Sequence, residues 1–249
     1  MVHDSFPQKP RYKRILLKLS GEMLQGEGKS FGIDATKLAD VGKSVLALIS
    51  QGVQAAIVIG SGNLLRGESV GGPVDRVTAD QMGMLATAIN GLALRDTLLK
   101  HNLSVTVMSA FAIPGIVREF HRRSAIDALS AGQVLIFVGG TGNPLVTTDS
   151  AGALRAIEID ADLLIKATKV DGVFSDDPMK NKEAVHYPKL TYAEVIEKRL
   201  KVMDLNAILL CQAHKLPVCV LNMNQPEMLL AAVSGKMVGT LVCDGEPHA

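Results

Sequence analysis

The chain has 249 residues, 47% of them hydrophobic, no tryptophan and a formal net charge of +1. That length suits one α/β domain or two small ones, with enough apolar residues for a sizeable core. The near-neutral balance excludes bulk nucleic-acid binding and attachment to a membrane surface. Residues 1–11 are polar, carry Asp4 and contain no apolar stretch, so they read as a flexible tail and not a signal peptide. Residues 15–19 read as a buried strand. Residues 34–50 read as a helix, with Asp34 as N-cap and Gly52 just past its end. A second strand is expected at 55–59 and a long helix at 80–99, opened by Asp80. Within that helix, residues 82–94 are apolar almost all round. Gly83, Ala86, Ala88, Gly91 and Ala93 permit close helix contact, so the segment is either central to the monomer or covered by a partner. No apolar run reaches membrane-spanning length.

Further strands are expected at 104–108, 134–138, 163–167 and 217–221. Helical patterns fill 125–129, 150–159, 192–198 and 204–213. Residues 111–119 are too short and too broken by Pro114 and Gly115 for a helix, and read as a hairpin or flap. Residues 12–243 form one expected domain and 244–249 a second tail. Strands rich in Val, Ile and Leu, separated by helices, imply a three-layer α/β sandwich with an open, mostly parallel sheet. Ligands in such folds sit beyond the carboxyl ends of the strands. Gly21, Gly60, Gly62, Gly139 and Thr168 should therefore converge on one edge. Cys211, Cys219 and Cys243 are odd in number and lack metal-ligand spacing, as do the six histidines. They read as reduced thiols of a cytoplasmic protein.

Two familiar fingerprints nearly appear and fail. Gly28-Lys29-Ser30 resembles the end of a P-loop, but the upstream glycine position is Met23. Gly60-Ser61-Gly62 resembles the start of a dinucleotide fingerprint, but its last glycine position is Leu65. Phosphate binding must instead fall to several strand-end loops. The most informative of these is 139–150, a glycine-rich turn between an apolar strand and an alanine-rich helix. Its backbone can approach an anion, and the helix start adds unpaired N–H groups. Thr141, Asn143, Thr147 and Thr148 add uncharged donors, and Asp149 one carboxylate. The competing reading is a turn with threonine caps. Lys18 interrupts an apolar strand, which places its ammonium either at the strand end or snorkelling to the surface. Arg66 follows a glycine-rich turn and offers a planar fork for phosphate. Asp80 can cap its helix or accept a ribose hydroxyl. In 166–178, Asp171-Gly172 signals a tight turn beside Lys166 and Lys169.

In this order, residues 18–21, 60–67, 80–84, 141–150, 166–174, 201–204 and 222–224 resemble the bacterial UMP kinase family of the amino-acid-kinase superfamily. The resemblance runs from about Tyr12 to Leu241. It implies ATP with Mg²⁺ as phosphoryl donor, UMP as acceptor and a place in pyrimidine nucleotide biosynthesis. Catalytic roles fall to Lys18, Asp149 and Lys166. ATP is placed against Lys18, Leu19, Ser20, Gly21, Gly62, Arg66, Thr168, Phe174 and Asp177. UMP is placed against Ser61, Asp80, Thr141, Gly142, Asn143, Pro144, Leu145, Val146, Thr147 and Thr148. Ser61 stands where the family usually has glycine. Gly26, Glu27, Gly28, Lys29, Ser30, Phe31 and Gly32 match a region that contributes to GTP activation. The resemblance also implies UTP inhibition and a homohexamer assembled from dimers that pair through the long helix. Mg²⁺ would be held mainly by nucleotide phosphates.

Overall fold

The computed structural model describes residues 10–65 and 74–245. At the centre of the sheet lies β1 (Arg14–Leu19), whose side chains alternate between two buried faces. Ile15, Leu17 and Leu19 join one hydrophobic cluster and Leu16 the other. Lys18 shares the Leu16 face, with Arg14 at the strand's other end. β1 pairs in parallel with β2 (Gln54–Ile59) on one side and with β6 (Leu163–Thr168) on the other.

The other strands extend the sheet in both directions. They are β3 (Val105–Ser109), β4 (Arg118–Glu119), β5 (Val134–Val138), β9 (Lys189–Leu190), β10 (Val218–Asn222) and β11 (Thr240–Val242). The strand order is β4-β3-β5-β2-β1-β6-β10-β11-β9. Within this sheet, among the described residues, the β10–β11 pairing is antiparallel and the others are parallel. β7 (Val173–Phe174) and β8 (His186–Tyr187) pair separately.

Helices cover both faces. On one, α1 (Ala35–Ser50), α2 (Arg76–Leu99) and α7 (Pro226–Val233) bury Val41, Val45, Leu94, Leu98 and Leu229. On the other, α3 (Arg122–Ser130), α4 (Thr148–Glu158), α5 (Tyr192–Glu197) and α6 (Leu205–Ala213) bury Leu129, Ala153, Tyr192 and Ile208. This is the expected three-layer sandwich.

The expected strands appear within a residue or so of their predicted ends. Asp34 caps α1 by accepting the Thr36 and Lys37 N–H groups. Residues 111–119 form a small turn closed by an Ile113–Val117 bridge, leading into β4. One expectation is corrected. Asp80 does not open the long helix; Asp75 does, five positions earlier. Its carboxylate accepts the Val77 and Thr78 N–H groups and the Thr78 hydroxyl. Three donors at Asp75 fix the start there. Of the expected tails, residues 1–9 and 246–249 lie outside the described residues.

Candidate active site

The sheet order reverses around β1, where chain-adjacent β2 lies on one side and β6, much later in sequence, on the other. Crevices form at the carboxyl edge of such switch points. The parallel register sets Lys18 of β1 directly opposite Lys166 of β6. Both lysines reach Asp149, the second residue of α4. Lys18 Nζ lies 2.7 Å from Asp149 Oδ1, and Lys166 Nζ donates to Asp149 Oδ2 at 2.7 Å. The Lys18 contact is a close ion pair on Oδ1, so each carboxylate oxygen faces one ammonium. The cluster thus holds two ammonium groups and one carboxylate, an excess of one positive charge.

Burial shapes its protonation. Desolvation alone would raise the Asp149 carboxyl, but Lys18 and Lys166 together hold it below the usual carboxylate range. Burial pulls the Lys166 ammonium below its usual range, and Asp149 only partly restores it. Lys166 also donates to the Val202 carbonyl at 2.6 Å, which fixes its direction.

The start of α4 is locked from below. Thr147 caps the helix by accepting the Asp149 and Ser150 N–H groups. Its hydroxyl donates to Asp204, which also accepts the Ser150 hydroxyl and caps α6. Capping, the competing reading for the threonines, therefore holds at Thr147, whose hydroxyl is engaged inside the protein. Thr148 faces Gly60, where an added Cβ would stand 3.5 Å from its hydroxyl oxygen.

The other loops gather at the same edge. A short turn, Gly21–Leu24, follows β1, with Ser20 capping it through the Glu22 N–H. A Cβ at Gly21 would stand 2.6 Å from the Gly62 backbone nitrogen and 2.8 Å from the Gly60 oxygen. Only glycine permits that approach. The Ser61 hydroxyl turns back to donate to the Leu65 carbonyl at 2.9 Å. Arg66 lies outside the described residues.

In the 139–148 loop, Leu145 holds a positive φ of 66° and is 65% exposed. Its N–H donates to Asp80 Oδ2 at 2.8 Å, while Arg76 pairs with Asp80 Oδ1 at 3.0 Å. Asp80 therefore ties α2 to this loop. The Thr141 hydroxyl accepts the Asn143 N–H, which shapes the turn through Gly142.

Farther along, the Thr168 hydroxyl donates to the Val170 carbonyl. Phe174 lies against His186, with ring centroids 5.0 Å apart. Asp177 is exposed on a turn, where it accepts the Met179 N–H. A cavity of about 770 Å³ lies off this cluster. It is lined by Gly26, Glu27, Gly28, Lys29 and Lys37, among others. The 26–32 loop meets the 60–65 turn through Gly32, whose N–H donates to the Asn63 backbone carbonyl and whose carbonyl accepts from the Asn63 side-chain amide.

Four supporting residues escaped the sequence reading: Asn63, Thr87, Asn90 and Asp204. The first three are buried polar residues, and Asn90 sits with no exposure on a helix that reads as apolar. A polar residue in an apolar run was the available signal.

A family model described as the amino acid kinase family matches residues 13–222. The chain is 53% identical over 247 residues to a uridylate kinase of Pseudomonas putida, spanning 99% of this chain and all of the relative. It is 52% identical over 246 residues to a uridylate kinase of Pseudomonas aeruginosa, covering 98% and 100%. Among solved structures, a UMP kinase from Bacillus anthracis superposes with a TM-score of 0.90 at 38% identity, covering 94% of this chain and 97% of that one. A UMP kinase from Ureaplasma parvum gives 0.86 at 35% identity, covering 94% and 100%.

Proposed function

The chain belongs to the amino acid kinase family, and from that premise we infer that it transfers the γ-phosphoryl group of ATP to UMP, yielding UDP and ADP. The observation that carries the site assignment is the Lys18–Asp149–Lys166 cluster at the carboxyl edge of β1 and β6. Both substrates are anions, so the barrier lies in bringing two phosphates together. An acceptor phosphate oxygen is already ionised, so no general base is needed. Positioning and charge stabilisation supply the catalysis.

Lys18 and Lys166 stabilise the negative charge of the transferring group. Asp149 keeps both ammonium groups aimed at one point. Mg²⁺ held by the nucleotide phosphates would neutralise phosphate charge there, and the Asp149 carboxylate between the two lysines could accept from a water on that ion. Among the described residues no group of three or more His, Cys, Asp or Glu side chains could hold a metal ion. Residues 18–21 and Gly62 cradle the donor phosphates, with Arg66 anchoring phosphate at the junction. Thr168, Phe174 and Asp177 hold the rest of ATP. Ser61, Asp80 and the 141–148 loop hold UMP. A coupled assay with ATP and each of UMP, CMP, dTMP and AMP tests this. UDP formation with UMP is expected; turnover of acetylglutamate, aspartate or carbamate in its place would overturn it.

Asp80 offers a sharper check. Asp80→Asn should raise the KM for UMP more than the KM for ATP, because its carboxylate sits on the acceptor loop through Leu145. Equal changes in both constants would confine Asp80 to holding α2.

The same reading extends to assembly. On α2, Met82, Leu85 and Ile89 form an outward apolar stripe, 39%, 52% and 55% exposed. Pairing of two chains along this stripe, repeated threefold, gives a homohexamer in the cytoplasm, activated by GTP through the 26–32 loop and inhibited by UTP. No helix among the described residues is long and apolar enough to cross a membrane. Light scattering at micromolar protein should report the mass of six chains. A monodisperse monomer indifferent to both nucleotides would sink the assembly while leaving the kinase reading intact.

A further inference from the structure

The inward face of α2 carries a row of polar residues, Asp80, Thr87 and Asn90, spaced so that they share one side of the helix. Each holds a different piece of backbone at the sheet edge. Asp80 accepts the Leu145 N–H at 2.8 Å. Thr87 accepts the Gly139 N–H at 2.7 Å, and its own hydroxyl proton goes to the Met84 carbonyl at 2.6 Å. Asn90 donates to the Gly60 carbonyl at 2.8 Å and exchanges amide bonds with Asn63 at 2.7 and 3.0 Å. Thr87 and Asn90 are 2% and 0% exposed, so these groups have no competing water.

The helix is also seated at a fixed height. A Cβ at Gly91 would stand 2.4 Å from Val138 Cγ1, so α2 presses directly on β5. The residue after β5 is Gly139, which takes a φ of 77° to start the acceptor loop. Its N–H is the first backbone donor of that loop and has one partner, the Thr87 hydroxyl. A buried N–H cannot be left unpaired cheaply.

We propose that Thr87 is a positioning residue for phosphoryl transfer. It sets the height of the 139–145 loop above the Lys18–Lys166 pair, and so the place of the acceptor. It touches backbone only and acts through Gly139. The proposal rests on the UMP kinase reading, because it needs 139–145 to be the acceptor loop.

The test compares Thr87→Val, which keeps the branched shape but removes the hydroxyl, with Thr87→Ser, which keeps the hydroxyl. Thr87→Val should weaken UMP binding, measured by calorimetry without ATP, by roughly tenfold. It should raise the KM for UMP and lower kcat while leaving the KM for ATP within about twofold. Thr87→Ser should stay near the parent chain in every constant. Thr87→Ala carries the same loss if the valine variant does not fold. Equal behaviour of the hydroxyl-bearing and hydroxyl-free variants would overturn the proposal. So would equal losses toward ATP and UMP, which signify general loosening. A parent chain that makes no UDP would instead overturn the kinase reading, so the two failures are distinguishable.

Discussion

Lys18→Ala is expected to lower kcat by roughly 10²–10³-fold, the effect of removing one preorganised charge donor from a reacting centre. The fold should survive. Lys18 is the penultimate residue of β1, and the strand retains its backbone ladder to β2 and β6. Asp149 retains Lys166 at 2.7 Å, so no carboxylate is left buried without a cation. The lost stem leaves a small space beneath α4, where Gly152 already gives the Lys18 methylenes room. The loss should fall on kcat more than on either KM, because the charge it offsets develops during transfer. The measurement is kcat at saturating ATP and UMP, with circular dichroism to confirm folding. A folded variant with near-parent kcat would remove Lys18 from the mechanism.

The same lysine shows how far sequence reasoning reaches. A charge inside the buried row Ile15–Leu19 stands out at once, because every neighbour is fully buried and apolar. That Lys166 sits beside it does not stand out. The pairing depends on the β1–β6 register, which joins distant segments through a sheet order that local pattern cannot fix. Asp149 was visible as a lone acid at a helix start, whereas its two partners required the fold. Sequence places the start of α2 at Asp80 because Asp75, five positions earlier, offers the same capping chemistry and local signals do not rank one above the other. The roles of Asp204 and Asn63 depend on chain crossings and were hidden for the same reason. The two-residue strands β4, β7, β8 and β9 are too short for any period to show. α7 did carry a signal, a proline at its first turn followed by an apolar run.

Asp149→Asn is the second large effect expected, and its sign with pH separates it from Lys18→Ala. Asparagine keeps the shape but removes the charge that holds two ammonium groups together. The lysines then repel each other across the β1–β6 register, and transfer should slow by at least the same roughly 10²-fold. Stability should fall as well, since breaking a buried ion pair from one side is costly. The linkage runs in a defined direction. The Asp149 carboxyl is depressed in the folded chain, so its contribution is complete above the unfolded carboxylate value near ~4 and is lost as pH falls through the lower folded value. The Tm gap between parent and variant should therefore be full at neutral pH and shrink in acid.

On the alkaline side Lys166 decides. Burial already depresses its ammonium, and Asp149 is the main group opposing that depression. Without the carboxylate, Lys166 loses its proton at lower pH, so the alkaline fall in kcat should move toward neutrality. A pH profile of kcat from 6 to 10, paired with Tm at matched pH, reads both effects. An Asp149→Asn variant with an unmoved alkaline limb would show that Lys166 is held protonated by something other than Asp149. The Lys18–Asp149–Lys166 cluster would then not be the unit that neutralises charge during transfer.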